Sequence, residues 1–290
     1  MARRGGAAGP QRHPTRRKAL GQHHLRDGAL AAPLVEFLRL APGVPVLEIG
    51  PGGGALTREL RARGAHVVAL ELDLEWAVEL ARGAHGGGSR QRLSEKENAV
   101  RSQSGLVVAV GDALEVDWSR ISPRWRVAGN LPYNVGTAIL ERFLRGAPAG
   151  VRAGFLLQRE VVERLVATPG SPAYGALSVL VASRARARQL AVVKPGSFVP
   201  PPRVESAFVG VETVTPPVDP ALLVALERVV RAAFAQRRKS LRNALAAGAG
   251  REAAERALAA AGLARGRRAE TLSLEEFVAL ARAFDESTSG

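Results

Sequence analysis

The chain is predicted to be a doubly wound α/β protein with a mostly parallel sheet and a small C-terminal all-α domain. Three observations predict this. Short apolar strands alternate with amphipathic helices up to residue 157, the first strand ends in a glycine-rich turn, and from Asp219 onward the pattern is purely helical. A length of 290 residues is enough for one large domain with its own core plus an appendage.

The elements follow in order. Residues 1–15, rich in Gly, Ala, Pro and Arg, are expected to be a disordered basic leader. Asp27 is expected to cap a helix through Leu40, with Leu30, Leu34, Val35 and Leu38 on one face. Val46–Ile49 reads as a buried strand, Gly50-Pro51-Gly52-Gly53-Gly54 as its turn and Ala55–Arg63 as the next helix. His66–Leu72 is a second strand and Leu74–Arg82 its helix. Residues 83–105 are Gly-, Ser- and charge-rich and are expected to be a flexible surface insertion before a third strand, Leu106–Val110. Val127–Gly129 leads into Asn130, helix Thr137–Leu144 follows, and Gly154–Leu157 is a further strand. These elements fall in a domain over residues 16–214, with a helical domain over 215–290 after Pro216 and Pro217. There Leu222, Leu226, Val229, Val230 and Phe234 form a stripe running into Arg237, Arg238, Lys239 and Arg242, and Ser273 with Glu276 makes a capping box for the last helix.

Charge narrows the partners. The net charge is +14, and of 41 basic residues only Lys18, Lys96, Lys194 and Lys239 are lysine. Arginine suits bidentate phosphate contacts and stacking on bases, so the excess fits RNA, although a GC-rich genome would also write Arg and Ala freely. Residues 1–26 hold seven basic side chains and no acid, 164–204 hold six and none, and 228–243 hold six and none. The absence of cysteine excludes a disulfide scaffold and thiolate metal sites and suits a reducing compartment. The five His do not cluster at metal-ligand spacing, except that His23 and His24 are adjacent. No apolar stretch reaches spanning length and the N-terminus lacks a signal-peptide core, so a soluble cytoplasmic protein is expected, with an organelle transit leader as the alternative.

Asn130-Leu131-Pro132-Tyr133 carries the most chemical information. An exocyclic adenine amine is a poor nucleophile, and an enzyme acting on it must present acceptors to both N–H groups. An Asn side-chain oxygen and a neighbouring backbone carbonyl do so, Pro132 stiffens the bend, and Tyr133 offers a flat face for a flipped-out base. The bland reading is a tight turn with a packed Tyr. The loop at Gly50, Gly52 and Gly54 lets backbone approach a ligand closely, and it fits either a nicotinamide dinucleotide or S-adenosylmethionine. Pro51 and Glu48 tilt towards the latter, since a carboxylate there faces a cationic ligand's amino group or orders the loop. Glu71, ending the second strand, is placed to accept ribose hydroxyls, and Asp112, after the third, to accept an adenine amine. Singly, each acid is better explained as a helix N-cap, but three acids at successive strand ends matched to one nucleoside favour the joint reading.

Taken together, these segments resemble the ribosomal RNA adenine N6,N6-dimethyltransferases of the small-subunit (KsgA) type. The matching residues are 17–22, 48–57, 71–73, 111–114, 130–134, 198–207, 234–243 and 268–273. The resemblance implies a class I S-adenosylmethionine-dependent methyltransferase fold, Rossmann-like, acting on two adjacent adenosines in a hairpin near the 3′ end of small-subunit RNA during subunit maturation. It implies that Gln22, His23 and Leu25 close over the S-adenosylmethionine cofactor. Glu48, Gly50, Gly52 and Gly54 then hold its amino-acid end, Glu71 and Leu72 its ribose, and Asp112 and Ala113 its adenine. Asn130 lies at both cofactor and target; Asn130, Leu131 and Pro132 grip the amine while Tyr133 and Phe198 sandwich the base. Arg17, Lys18, Arg203, Arg237, Arg238, Lys239 and Arg242 are the expected RNA contacts, the substrate is a pre-assembled small subunit, no metal is required, and a monomer is expected.

The chain departs from the family at His23-His24, where Asn-Phe is usual, and in the length of the 83–105 insertion. Three rival readings remain: a large-subunit, resistance-type adenine methyltransferase; a non-enzymatic assembly or transcription factor on the same fold; and, more remotely, a nicotinamide-dependent oxidoreductase.

Overall fold

The computed structural model describes residues 23–83, 99–101, 105–236 and 239–286. In chain order the elements begin with β1 (His24–Leu25), α1 (Ala32–Leu38), β2 (Pro45–Ile49), α2 (Ala55–Ala62), β3 (His66–Glu71), α3 (Leu74–Gly83), β4 (Ala99–Arg101) and β5 (Leu106–Val110). β6 (Arg126–Asn130), α4 (Gly136–Gly146), β7 (Arg152–Gln158), α5 (Arg159–Leu165), α6 (Ala176–Ala182), β8 (Ala185–Val193), β9 (Phe198–Val199) and β10 (Ser206–Thr213) follow. Helices α7 (Pro220–Phe234), α8 (Leu241–Ala249), α9 (Arg251–Ala260) and α10 (Leu274–Glu286) complete the chain.

The main sheet has the order β4-β5-β3-β2-β6-β7-β10-β8. Strands β5, β3, β2, β6 and β7 are mutually parallel, so their carboxyl ends lie along one edge, while β10 runs antiparallel between β7 and β8. The sequence therefore predicts the parallel half correctly; β8 and β10 are additions that its pattern did not announce. The order reverses at β2, which sits between β3 and β6, and in doubly wound sheets ligands bind in the crevice at such a switch point.

Several expectations need correction. Asp27 caps a single 3₁₀ turn, Gly28–Ala31, and α1 ends at Leu38 because Arg39 takes a left-handed conformation (φ 50°). The segment over 83–105 is not wholly irregular, since β4 pairs antiparallel with β5 and supplies the sheet's edge. The basic run is not one continuous helix: α7 stops at Phe234, Lys239 donates its N–H to the Gln236 carbonyl in a turn, and α8 starts at Leu241. The leader 1–15 and the residues Arg17, Lys18, Gln22, Arg237 and Arg238 lie outside the described residues.

The Ser273–Glu276 box read from sequence is present, and the structure adds a cap at Asp219. Asp219 accepts from the Leu222 N–H at 2.9 Å, and Ser273 and Glu276 cap each other's N–H groups at 2.9 and 3.3 Å. Helices α7–α10 surround their own apolar core, which contains Leu226, Val230, Leu258 and Phe277 and also takes in Tyr174, Val179 and Leu180 from around α6. Arg184 and Arg145 meet Glu227 of α7 at 2.6 and 3.0 Å, joining the sheet side to the helical tail.

Candidate functional site

An open crevice lies at the switch point. It encloses about 840 Å³ including its open mouth and is lined by the ends of β2, β3, β5 and β6, with His23 and His24 on the near side. A smaller recess beside it, of about 260 Å³, reaches Leu25, Glu48, Gly50 and Asn130.

The glycine loop has the geometry its composition demands. Gly50, Gly52 and Gly54 have φ of 63°, 49° and 72°, which L side chains rarely adopt. A Cβ on Gly52 would also lie 2.2 Å from His24 Nδ1. The Gly52 N–H donates to Glu71 Oε2 and the Asp73 N–H to Oε1, both at 3.0 Å, so Glu71 ties the two loops together from a buried position. Burial raises the Glu71 pKa, with those N–H groups opposing.

Glu48 is buried, with Oε2 unpartnered among the described residues. Burial pushes its carboxyl up to about 8, Thr57 opposes, and the Glu71 charge adds to the rise. Two buried acids with raised pKa values form a site that gains from a cationic ligand. Asp112 caps the turn after β5 through the Leu114 N–H at 2.8 Å, and it lines the crevice with Leu72 and Ala113. The acid at each strand end is thus both a local cap and a crevice wall.

The bend after β6 is fixed by its backbone. The Leu131 N–H donates to the Leu156 carbonyl at 3.1 Å, and the Pro132 carbonyl accepts from Val135 and Gly136 at 3.2 and 2.7 Å. The Pro132 carbonyl is thus engaged within the turn. Asn130 Nδ2 donates to the His23 carbonyl at 2.7 Å, which uses the amide's donor end and leaves Oδ1 as an acceptor.

His23 and His24 act as a strap. β1 pairs antiparallel with β9, His23 Nδ1 donates to the Pro200 carbonyl at 2.8 Å, and Arg26 Nε donates to the Phe198 carbonyl at 3.2 Å. The His23 ring lies 5.0 Å from that of Tyr133, and the His24 ring 4.6 Å from Trp76. The unusual histidine pair therefore fills two distinct aromatic contacts.

One site expectation fails in position. Phe198 is wholly buried among Leu25, Val193 and other core residues and does not line the crevice, because in the two-residue strand β9 it points inward. The ring facing Tyr133 is that of His23. Arg203 and Lys239 are exposed, whereas Arg242 is half-buried and meets Glu255 at 3.5 Å. Sequence reasoning noted His24 only as a departure from the family and left out Trp76 and Ser206. Of the latter two, Ser206 had a signal in its place inside the matched run 198–207, but no spacing rule linked it to Tyr133.

Comparison with known proteins agrees with this geometry. The family model described as ribosomal RNA adenine dimethylase matches residues 14–286. A ribosomal RNA small subunit methyltransferase A from Ruegeria sp. (strain TM1040) is 42% identical over 93% of this chain and 92% of its own length. The enzyme of the same name from Nitratidesulfovibrio vulgaris is 39% identical over 93% and 97%. Among solved structures, the 23S rRNA methyltransferase ErmE superposes with a TM-score of 0.65 at 26% identity, covering 90% of this chain and 99% of that one. A dimethyladenosine transferase from Plasmodium falciparum gives 0.71 at 19% identity, covering 92% and 98%, and so shares the fold. Sequence, fold and crevice agree: the chain belongs to the ribosomal RNA adenine dimethylase family, enzymes of the class I methyltransferase fold.

Proposed function

We propose that this chain uses S-adenosylmethionine to dimethylate N6 of two adjacent adenosines in a hairpin near the 3′ end of small-subunit ribosomal RNA, as part of subunit maturation. The observation that carries the reading is the Asn130 amide, whose Nδ2 donates to the His23 carbonyl at 2.7 Å and so leaves Oδ1 as an acceptor at the crevice; we assign the Leu131 carbonyl as the second acceptor.

The crevice fits the methyl donor. The left-handed glycines allow close backbone approach, Glu48 has an unsatisfied buried carboxyl oxygen that would take an ammonium group, Glu71 would hold the ribose, and Leu72, Asp112 and Ala113 would border the base. When bound, the cofactor supplies a methyl group already activated on a sulfonium. The chain's own residues accept the two amine hydrogens, steer the nitrogen lone pair towards the crevice and exclude water. Tyr133 offers a ring face to the base and to the positive charge that develops on nitrogen. No side-chain nucleophile is needed.

The substrate particle is reached through exposed cations, Arg203 and Lys239 among the described residues. Arg17, Lys18, Arg237 and Arg238 are assigned the same task on sequence. A small-subunit target is favoured over a large-subunit one because curated relatives at 39–44% identity carry the small-subunit name, against 26% for ErmE. We assign a cytoplasmic monomer; no described helix is long and apolar enough to cross a membrane. The test is labelled methyl transfer to small subunits from cells lacking the modification, followed by nucleoside analysis. N6,N6-dimethyladenosine in small-subunit RNA is expected, and label confined to large-subunit RNA overturns the reading.

A further inference from the structure

We infer that Ser206 is a positioning residue for methyl transfer, its hydroxyl holding the Tyr133 ring in the orientation at which the target base stacks. This rests on the reading of Tyr133 given above. Tyr133 is only half-buried, and it stands at the crevice mouth on a bend whose backbone is fixed by the Leu131 and Pro132 hydrogen bonds. A fixed backbone does not by itself fix an aromatic side chain, whose first torsion has three staggered wells. Two side-chain contacts do so here: the hydroxyl is hydrogen-bonded to Ser206 Oγ, and the ring meets His23 at 5.0 Å.

Ser206 is well placed to act as the anchor. It is fully buried at the start of β10, paired to Gln158 of β7 on one side and Val193 of β8 on the other. The preceding residue is held as firmly: the Glu205 carbonyl accepts from the Arg159 N–H at 2.9 Å, and the Arg159 guanidinium bridges Glu205 at 2.7 Å and Glu163 at 2.8 Å. The hydroxyl thus stands on a paired strand of the sheet, while the ring it meets stands on the bend after β6. Burial also raises the Tyr133 pKa, so the phenol keeps its proton at neutral pH and the pair always has a hydrogen to share.

The contrast with other buried serines separates this arrangement from ordinary satisfaction of a hydroxyl. Ser183 donates to the Leu180 carbonyl at 2.9 Å and Ser178 to the Arg164 carbonyl at 2.6 Å, both of them backbone partners. Ser206 instead reaches across 73 residues of sequence to the side chain of a crevice residue. Pre-organising that ring spares the bound base the entropy of ordering it.

The test uses the full chain with undermethylated small subunits, measuring kcat, KM and cofactor Kd for Ser206→Ala, Tyr133→Phe, the double variant and Tyr133→Ala. Ser206→Ala and Tyr133→Phe are each expected to lower kcat about three- to tenfold with cofactor Kd unchanged, and the double variant to be no worse than either single. Tyr133→Ala, which removes the ring, is expected to lose far more. Wild-type kcat in Ser206→Ala, losses that multiply in the double variant, or a matching loss of cofactor affinity overturns the inference. Tyr133→Ala with near-normal turnover overturns the role of Tyr133 and this inference with it. An inactive Tyr133→Ala beside wild-type Ser206→Ala and Tyr133→Phe overturns the inference alone.

Discussion

Asn130 and His23 are 107 residues apart in the chain, yet the Asn130 amide donates to the His23 carbonyl at 2.7 Å. That one hydrogen bond decides which end of the amide faces the crevice. Because both hydrogens of an adenine amine need an acceptor, Asn130→Ala is expected to cut kcat on the order of a hundredfold or more. Cofactor affinity should stay within a few-fold, because the glycine loop and Glu71 are untouched. Single-turnover methyl transfer beside calorimetric cofactor titration checks both halves, and near-normal turnover would refute the assignment.

Glu48 predicts a pH dependence of opposite sign to that of an ordinary salt-bridged acid. Its carboxyl titrates at about 8 when folded, against an ordinary value near 4.5. Between those values the unfolded chain has released the proton and the folded one has kept it, so stability of the ligand-free protein falls as pH rises from about 4.5 to 8. Glu48→Gln, neutral at every pH, is expected to flatten that fall and to raise Tm at pH 8, while weakening cofactor binding. Thermal denaturation from pH 5 to 8.5 measures it; an unchanged slope counts against the buried carboxyl as its source.

Gly52→Ala combines a left-handed φ of 49° with a Cβ 2.2 Å from His24 Nδ1. The strain amounts to about 1–2 kcal/mol for the backbone alone, and the His24 ring must leave its place against Trp76. We expect at least a tenfold loss of cofactor affinity with the fold retained, visible by titration following Trp fluorescence. Wild-type affinity would show that the strap and the loop are independent.

Glu227 should matter more than either of its arginines. Burial works to raise its pKa, but hydrogen bonds and charge from Arg184 and Arg145 prevail and hold it below the ordinary carboxylate value. Its contribution is therefore present at neutral pH and lost as pH falls through that lowered value. Glu227→Ala leaves the partly buried Arg184 without this partner and is expected to cost about 1–3 kcal/mol, while Arg145→Ala, at an exposed side chain, costs less than about 1 kcal/mol. Urea denaturation of the two variants provides the comparison.

Arg203 and Lys239 are exposed, so their side chains are accessible to a polyanion. If they contact RNA phosphates, Arg203→Ala and Lys239→Ala should each weaken subunit binding and reduce the slope of log K against log salt by about one. Filter binding over a salt series reads this directly, and unchanged slopes would remove these two from the interface.

How far the sequence was legible follows the range of the signals. The glycine loop, the acids at the ends of β3 and β5, and the Asn130–Tyr133 bend were readable because each is a local pattern with a local cause. The strap was not: the contacts of His23 with Asn130 and Pro200 span 107 and 177 residues, and no periodicity encodes them. Phe198 looked like a base-stacking ring because a motif records neighbours in sequence, not the face of a two-residue strand. β8 was passed over because its exposed Arg186 and Arg188 read as surface charge, which is what an edge strand carries.

The insertion of β10 between β7 and β8 constrains how the molecule comes into being. Among the described residues β8 pairs with no strand but β10, and β10 is the last strand in chain order. A nascent chain released anywhere before Ser206 would present the free margin of β7, whose Phe155, Leu156 and Leu157 are otherwise covered, as a sticky template for other chains. Translation must run past the end of the sheet before the protein is safe from aggregation.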